Sequence, residues 1–143
     1  MEWIYAESIE ESLKYIEMGY TIHSGGTGIL MTRKKHRGFV YPMKVPEMKL
    51  MDCRERIELG GMLSFNEVIN FLSDCSPDHI LVSSLSRAAT TPLRNRITIG
   101  GSLAFAPVWS DLIGPLVCID AKVRIEGKNK GIYSVEEFLK FLF

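Results

Sequence analysis

The sequence predicts an α+β fold, and three observations carry that reading. Serines at 8, 64 and 134 each stand three residues before a glutamate, at 11, 67 and 137. In that pattern the hydroxyl accepts from a free backbone N–H and the carboxylate reaches back, so each opens a helix. Between these helices lie short, β-favouring segments with apolar and charged residues alternating. Helical and strand-like stretches interleave without repeats, as expected when helices pack on a mixed sheet.

The elements follow in order. After Ser8, Ile9, Leu13 and Ile16 share one helical face, and Gly19 supplies a C-terminal stop. Tyr20 to His23 reads as a short strand, with Gly38 to Tyr41 and Met48 to Met51 as further candidates. Ile57 and Leu59 alternate with charged neighbours. The Ser64 helix turns Phe65, Val68, Ile69 and Leu72 to one side. Another helix is expected from Ser76-Pro77 toward Ala89, with Leu81, Leu85 and Ala88 inward. Val123 and Ile125 alternate in a strand, and Gly127 to Gly131 forms a hairpin turn into Ile132-Tyr133. The last helix lines up Val135, Phe138, Leu139 and Leu142. A soft boundary at Val45-Pro46-Glu47 divides the chain into a βαβ-like N-terminal lobe, residues 1–45, and a larger lobe, residues 46–143. The larger lobe is expected to set helices on a mainly antiparallel sheet.

Composition narrows the function. Lysine plus arginine balances aspartate plus glutamate, 17 against 17, in a chain of 143 residues. A general nucleic-acid binder normally carries a basic excess. Cys53, Cys75 and Cys118 form no C-x-x-C pair, so zinc and iron–sulfur spacings are missing. Their odd number and the polar start Met1-Glu2-Trp3 fit a reducing, cytoplasmic setting. Apolar runs fall far short of a membrane span.

Two glycine-rich elements stand out, Ser24-Gly25-Gly26-Thr27-Gly28 and Thr98-Ile99-Gly100-Gly101-Ser102. Backbone N–H groups in such turns make concavities for anions. One element falls in each lobe, so a diphosphate held between them is the first functional expectation. Thr98 and Ser102 add hydroxyls, and Arg94 and Arg96 add charge, unless those arginines only face solvent. By itself the first element reads as a plain strand-to-helix turn. Neither G-x-G-x-x-G nor G-x-x-x-x-G-K occurs. Asp111 is placed to accept from a ribose or ribityl hydroxyl, or to cap a helix before Leu112. His23 ends a strand or faces the ligand. His36 lies in the basic run Arg33-Lys34-Lys35-His36-Arg37, which reads as a solvated loop or as a dock for an acidic partner. No nucleophile, paired carboxylate or metal-ligand spacing is visible, so no catalytic or metal-binding residue is assigned.

Taken together the two elements resemble a known family. Arg94-Asn95-Arg96-Ile97-Thr98-Ile99-Gly100-Gly101-Ser102-Leu103-Ala104, followed by Asp111-Leu112, matches R-N-x-A-T-I-G-G-[NS]-L-A with its downstream Asp-Leu. Ser24-Gly25-Gly26-Thr27-Gly28-Ile29 matches an A-G-G-T-D-L type loop, with Gly28 in place of the usual polar side chain. Weaker echoes are Ile57-Glu58-Leu59-Gly60-Gly61 and Asp120-Ala121-Lys122-Val123. The chain is thus similar to the FAD-binding (PCMH-type) domain of molybdenum hydroxylases, as in xanthine dehydrogenase and the medium subunit of carbon monoxide dehydrogenase. The resemblance implies a two-lobed fold with FAD between the lobes. It implies Ser24, Gly25, Gly26, Thr27 and Gly28 on one side of the pyrophosphate. On the other it implies Thr98, Ile99, Gly100, Gly101 and Ser102, with Asp111 on the cofactor's polar part.

The resemblance further implies a flavoprotein component of an oxidoreductase. Its partners would be an iron–sulfur subunit and a molybdopterin subunit, and it would relay electrons from their centres to an external acceptor. A homo-oligomer is also compatible. The family's separate C-terminal domain is not in this sequence. The competing expectation is a flavin-free assembly or binding module that retains the fold, with Phe138, Phe141, Leu142 and Phe143 as a docking surface. A third is a nucleotide-binding protein using the same glycine elements.

Overall fold

A computed structural model describes all residues from Met1 to Phe143. The N-terminal strand β1 (Glu2–Tyr5) leads to helix α1 (Ile9–Glu17), strand β2 (Thr21–Ile22), helix α2 (Thr27–Thr32) and strand β3 (Gly38–Tyr41). The three strands pair in parallel in the order β1-β3-β2. Parallel neighbours need crossovers, and the helices supply them. Ala6, Tyr20 and Val40 are buried beneath this sheet, with Ile4, Tyr15 and Ile16 packed against them. Ser8 caps α1 by accepting from the Glu11 N–H, but the Glu11 carboxylate accepts from Glu7 instead of closing the box. Gly19, at φ 89°, ends that helix as expected.

A 3-10 turn, Pro46–Lys49, takes the first half of the stretch expected to be a strand at Met48 to Met51. Pro46 has no N–H to give a ladder, and the fixed ring favours a helical first turn. Strand β4 (Met51–Asp52) follows and pairs antiparallel with β5 (Glu58–Leu59). Then come α3 (Phe65–Cys75) and α4 (Ile80–Ser86). The latter starts later than Ser76-Pro77, because His79 caps it through Nδ1. Short helices α5 (Thr91–Arg94), α6 (Ile99–Phe105) and α7 (Ile113–Cys118) lead to the antiparallel hairpin β6 (Lys122–Ile125) and β7 (Gly131–Ser134). Helix α8 (Val135–Leu139) closes the order, with a complete capping box at Ser134.

The main core joins Phe65, Val68 and Leu72 of α3 to Leu81 and Leu85 of α4, Ala88, Ile99 of α6 and Leu112. Phe65, Val68, Leu72, Leu81, Leu85 and Ala88 are positions that the sequence marked as inward, whereas Ile99 and Leu112 are added by the tertiary fold. Ser64 closes a full box with Glu67, and Lys49 reaches the same carboxylate at 2.6 Å. Burial pulls the Glu67 carboxyl up, yet the Lys49 ammonium and the Ser64 N–H together hold it below the usual range. No helix is long and apolar enough to cross a membrane.

Candidate functional site

The two glycine elements meet. A Cβ on Gly25 would overlap the carbonyl oxygen of Arg96, and the Arg96 guanidinium donates to the Gly25 carbonyl at 3.2 Å. A Cβ on Gly101 would lie 2.7 Å from the hydroxyl oxygens of both Ser24 and Thr98. Gly28 faces the Phe105 ring. Gly25 against Arg96, Gly101 against Ser24 and Gly28 against Phe105 each pair a residue of 24–28 with one of 96–105, and this close approach explains why side chains are missing here.

Their donors are arranged differently. In the first element, the residue after β2, His23, donates its N–H to the Val40 carbonyl of β3 at 2.9 Å. Gly26 then takes φ 77°, a left-handed conformation that suits glycine, and α2 begins. The N–H groups of Ser24, Gly25, Gly26, Thr27 and Gly28 bond no protein acceptor, and these residues are all half-buried. The hydroxyls of Ser24, Thr27 and Ser102 are likewise without protein partners. They make a short, donor-rich turn.

In the second element the sequence suggests a loop, but Gly100 and Gly101 lie in the first turn of α6. Its N–H groups are used inside the protein. Ile99 donates to Leu63, Gly100 to Gly61 at 2.9 Å, Gly101 to the Thr98 hydroxyl at 3.0 Å and Ser102 to the Thr98 carbonyl. Thr98 is buried and bridges Ser64 across an isolated β-pair. A Cβ on Gly100 would come within 2.7 Å of the Gly61 carbonyl oxygen. Gly100 therefore seats α6 on the turn before α3.

The arginines divide. Arg96 links the two elements. Arg94 instead turns inward, donating to Asn66, to the Ala88 and Ala89 carbonyls and to Thr91, so it is a structural clamp. Asp111 is exposed. Its carbonyl accepts from Ser84, and with Ser83, Ser84 and Arg87 it lines a shallow cleft of about 280 Å³. None of its hydrogen bonds reaches a glycine element, and Ser110 rather than Asp111 caps the start of α7.

His23 sits beside the first element. Its ring packs edge-on against Trp3 at 4.8 Å, Phe39 at 5.5 Å and Tyr41 at 5.8 Å, and its Nδ1 is buried without a partner. Burial first, and the Arg96 charge second, lower its pKa, so the ring is neutral at pH 7. A Cβ on Gly26 would lie 2.6 Å from its Nε2. His36 departs from a solvated loop: its Nδ1 bonds the Thr21 hydroxyl at 2.9 Å and its ring packs on Phe39. Arg33, Lys34 and Lys35 are exposed as expected. Sequence reasoning missed the internal use of the α6 N–H groups. The signal was Gly60-Gly61, a third glycine pair, where the Gly61 carbonyl proves to be the acceptor for Gly100.

Comparison with known proteins agrees with this architecture. The chain is 25% identical to an indole-3-acetaldehyde oxidase of Zea mays over 96% of its length, and 28% identical to aldehyde oxidase 4 of Mus musculus over 82%. It spans 11% and 10% of those relatives. Quinoline 2-oxidoreductase from Pseudomonas putida 86 shares the fold with a TM-score of 0.87 at 21% identity, covering 98% of this chain and 52% of that one. Carbon monoxide dehydrogenase from Hydrogenophaga pseudoflava does so with a TM-score of 0.81 at 20% identity, over 95% and 50%. The model of the FAD binding domain in molybdopterin dehydrogenase matches residues 1–143. The chain belongs to that family of FAD-binding domains.

Proposed function

We propose that this chain holds the diphosphate of FAD in the turn from Ser24 to Gly28, as the flavin-binding part of a molybdenum hydroxylase-type oxidoreductase. The carrying observation is the row of five unpartnered N–H groups, with the Ser24, Thr27 and Ser102 hydroxyls beside it. Such a row suits an anion whose charge the backbone dipoles oppose. Thr98, Ile99, Gly100 and Gly101 serve by shape: their backbone is already committed, and the bare surface of Gly101 leaves room beside Ser24. Arg96, bonded to Gly25, keeps the turn open and adds a positive charge. Asp111 takes a hydroxyl of the cofactor's polar part. When bound, FAD supplies the redox chemistry, and the protein supplies position and electrostatics. The division of labour between residues 1–45 and 46–143 follows, with one lobe providing donors and the other a wall.

The whole assembly would relay electrons from iron–sulfur and molybdenum centres on partner chains to an external acceptor. Titration of the purified chain with FAD is expected to saturate near one per chain, with a visible flavin spectrum. Gly101→Val, whose side chain would strike Ser24 and Thr98, is expected to abolish retention while circular dichroism keeps its helical signal. A folded wild-type chain that takes up no FAD at saturation overturns the proposal and leaves the flavin-free assembly reading. For the relay, purification of the native complex through this chain is expected to bring an iron–sulfur chromophore with it; its absence removes that part alone.

A further inference from the structure

A histidine ring stands at the foot of the diphosphate turn. Strand β2 pairs Thr21 with Phe39 and Ile22 with Val40, and the His23 N–H continues the ladder to the Val40 carbonyl. The backbone at His23 is thus fixed before the turn begins. Side chains alternate along a strand, so His23 falls on the same sheet face as Phe39, Trp3 and Tyr41. Those three rings pack around the imidazole and hold its orientation. Nδ1 is the buried corner, without a partner. Nε2 is the corner at the turn: a Cβ on Gly26 would lie 2.6 Å from Nε2, against 3.2 Å from Cε1 and 3.7 Å from Cδ2. Only a glycine at φ 77° leaves space for that corner.

We infer that His23, as the neutral Nε2–H tautomer, donates a hydrogen bond to a phosphate oxygen of the ligand held by residues 24–28. The inference rests on the diphosphate reading above and adds a side-chain donor to its row of N–H groups. A neutral imidazole carries one proton and has two places for it. On Nδ1 the proton would be buried with no acceptor, at the cost of an unmade hydrogen bond. On Nε2 it faces the turn, and an anion bound there favours it further. Burial above all, and then the Arg96 guanidinium, keep the ring neutral at pH 7, with the Ser24 backbone opposing them in part. Arg96 is the charged neighbour of the ring; Trp3, Phe39 and Tyr41 bring no charge at that pH. Phosphate oxygens only accept, so a fixed donor suits them, and its strength does not change between pH 7 and 8.

The test follows the imidazole nitrogens by NMR in the purified chain labelled with 15N-histidine, the His23 signals being those lost in His23→Gln. Inorganic pyrophosphate and FAD are the two probes. At pH 7.5 each is expected to leave the proton on Nε2 and to shift that signal, while His36 and His79 stay in place. Two variants separate donation from packing. His23→Phe keeps a ring among Trp3, Phe39 and Tyr41 but has no donor, and is expected to weaken binding of either probe about tenfold. His23→Gln loses the ring but carries an amide N–H that reaches the Nε2 position, and is expected to recover most of that loss. If the ring acts by packing alone, the order of the two variants reverses and the inference fails. It also fails if a probe binds and the proton is found on Nδ1, or the His23 signals do not move; the FAD reading then stands. Pyrophosphate that binds and shifts Nε2, with no uptake of FAD, supports the inference and overturns the FAD reading. A folded chain that takes neither probe overturns both.

Discussion

At Gly25 one hydrogen separates a formed site from a blocked one. A methyl group there would overlap the Arg96 carbonyl, which is backbone and moves only if the start of α6 moves with it. Gly25→Ala is expected to weaken FAD binding at least about tenfold, or roughly 1.4 kcal/mol. Titration by flavin fluorescence measures this. Removing a single hydroxyl, as in Ser24→Ala or Ser102→Ala, leaves the N–H row in place and should cost only about 1 kcal/mol. His23 makes a second residue-scale statement. Its folded pKa lies below the ordinary value of 6.5, so the unfolded chain binds the extra proton more readily. The stability it contributes is complete above that value and is lost as pH falls below it. Urea midpoints for the apo-chain should therefore decline as pH drops below 6.5, and His23→Gln should flatten that limb. Glu67, with its pKa below the carboxylate range, contributes its own loss only at lower pH.

Among the elements, caps and faces were readable because their chemistry is local. Ser64 and Ser134 complete the boxes their spacing announces, and the buried face of α3 is the one its apolar periodicity marks. The short helices were not readable. Helices α2 and α6 each carry glycine near the start, which lowers intrinsic propensity, and they exist because tertiary contacts hold them. The α6 start depends on carbonyls of Gly61 and Leu63, more than thirty residues away, which no local pattern encodes. Strand β1 was overlooked for the same reason: its pairing partner is β3, across two helices. The convergence of residues 24–28 with 96–105 was inferable only from the expectation that two glycine elements grip one ligand, because no local pattern links them. Caps also make a graded prediction. Ser64→Ala removes the hydroxyl acceptor of a box buried against the main core and next to Lys49. It should cost about 1–2 kcal/mol. Ser8→Ala removes a half-formed box on an exposed helix and should cost less. Paired thermal melts would separate the two.

Across the whole molecule, the candidate site lies where two unequal cores meet. Nine buried residues form the cluster around α3 and α4, which includes Ile99 of α6, while three form the cluster beneath the parallel sheet that leads into the first glycine element. Local stability follows buried apolar contact, so the smaller cluster should open more readily. Without FAD, amides of β1, β2 and β3 are expected to exchange faster than those of α3 and α4. A ligand that binds the folded form alone adds stability by mass action, about 2.7 kcal/mol at a hundredfold excess over Kd. The proposed diphosphate grip draws its donors from 24–28 and its wall from 98–102, so that gain should reach the weaker side most. With saturating FAD, exchange in β2, α2 and β3 should slow by a larger factor than exchange in α3. Hydrogen exchange read by mass spectrometry resolves these segments. Protection confined to residues 61–105, with the parallel sheet unchanged, would show that the first glycine element does not hold the ligand.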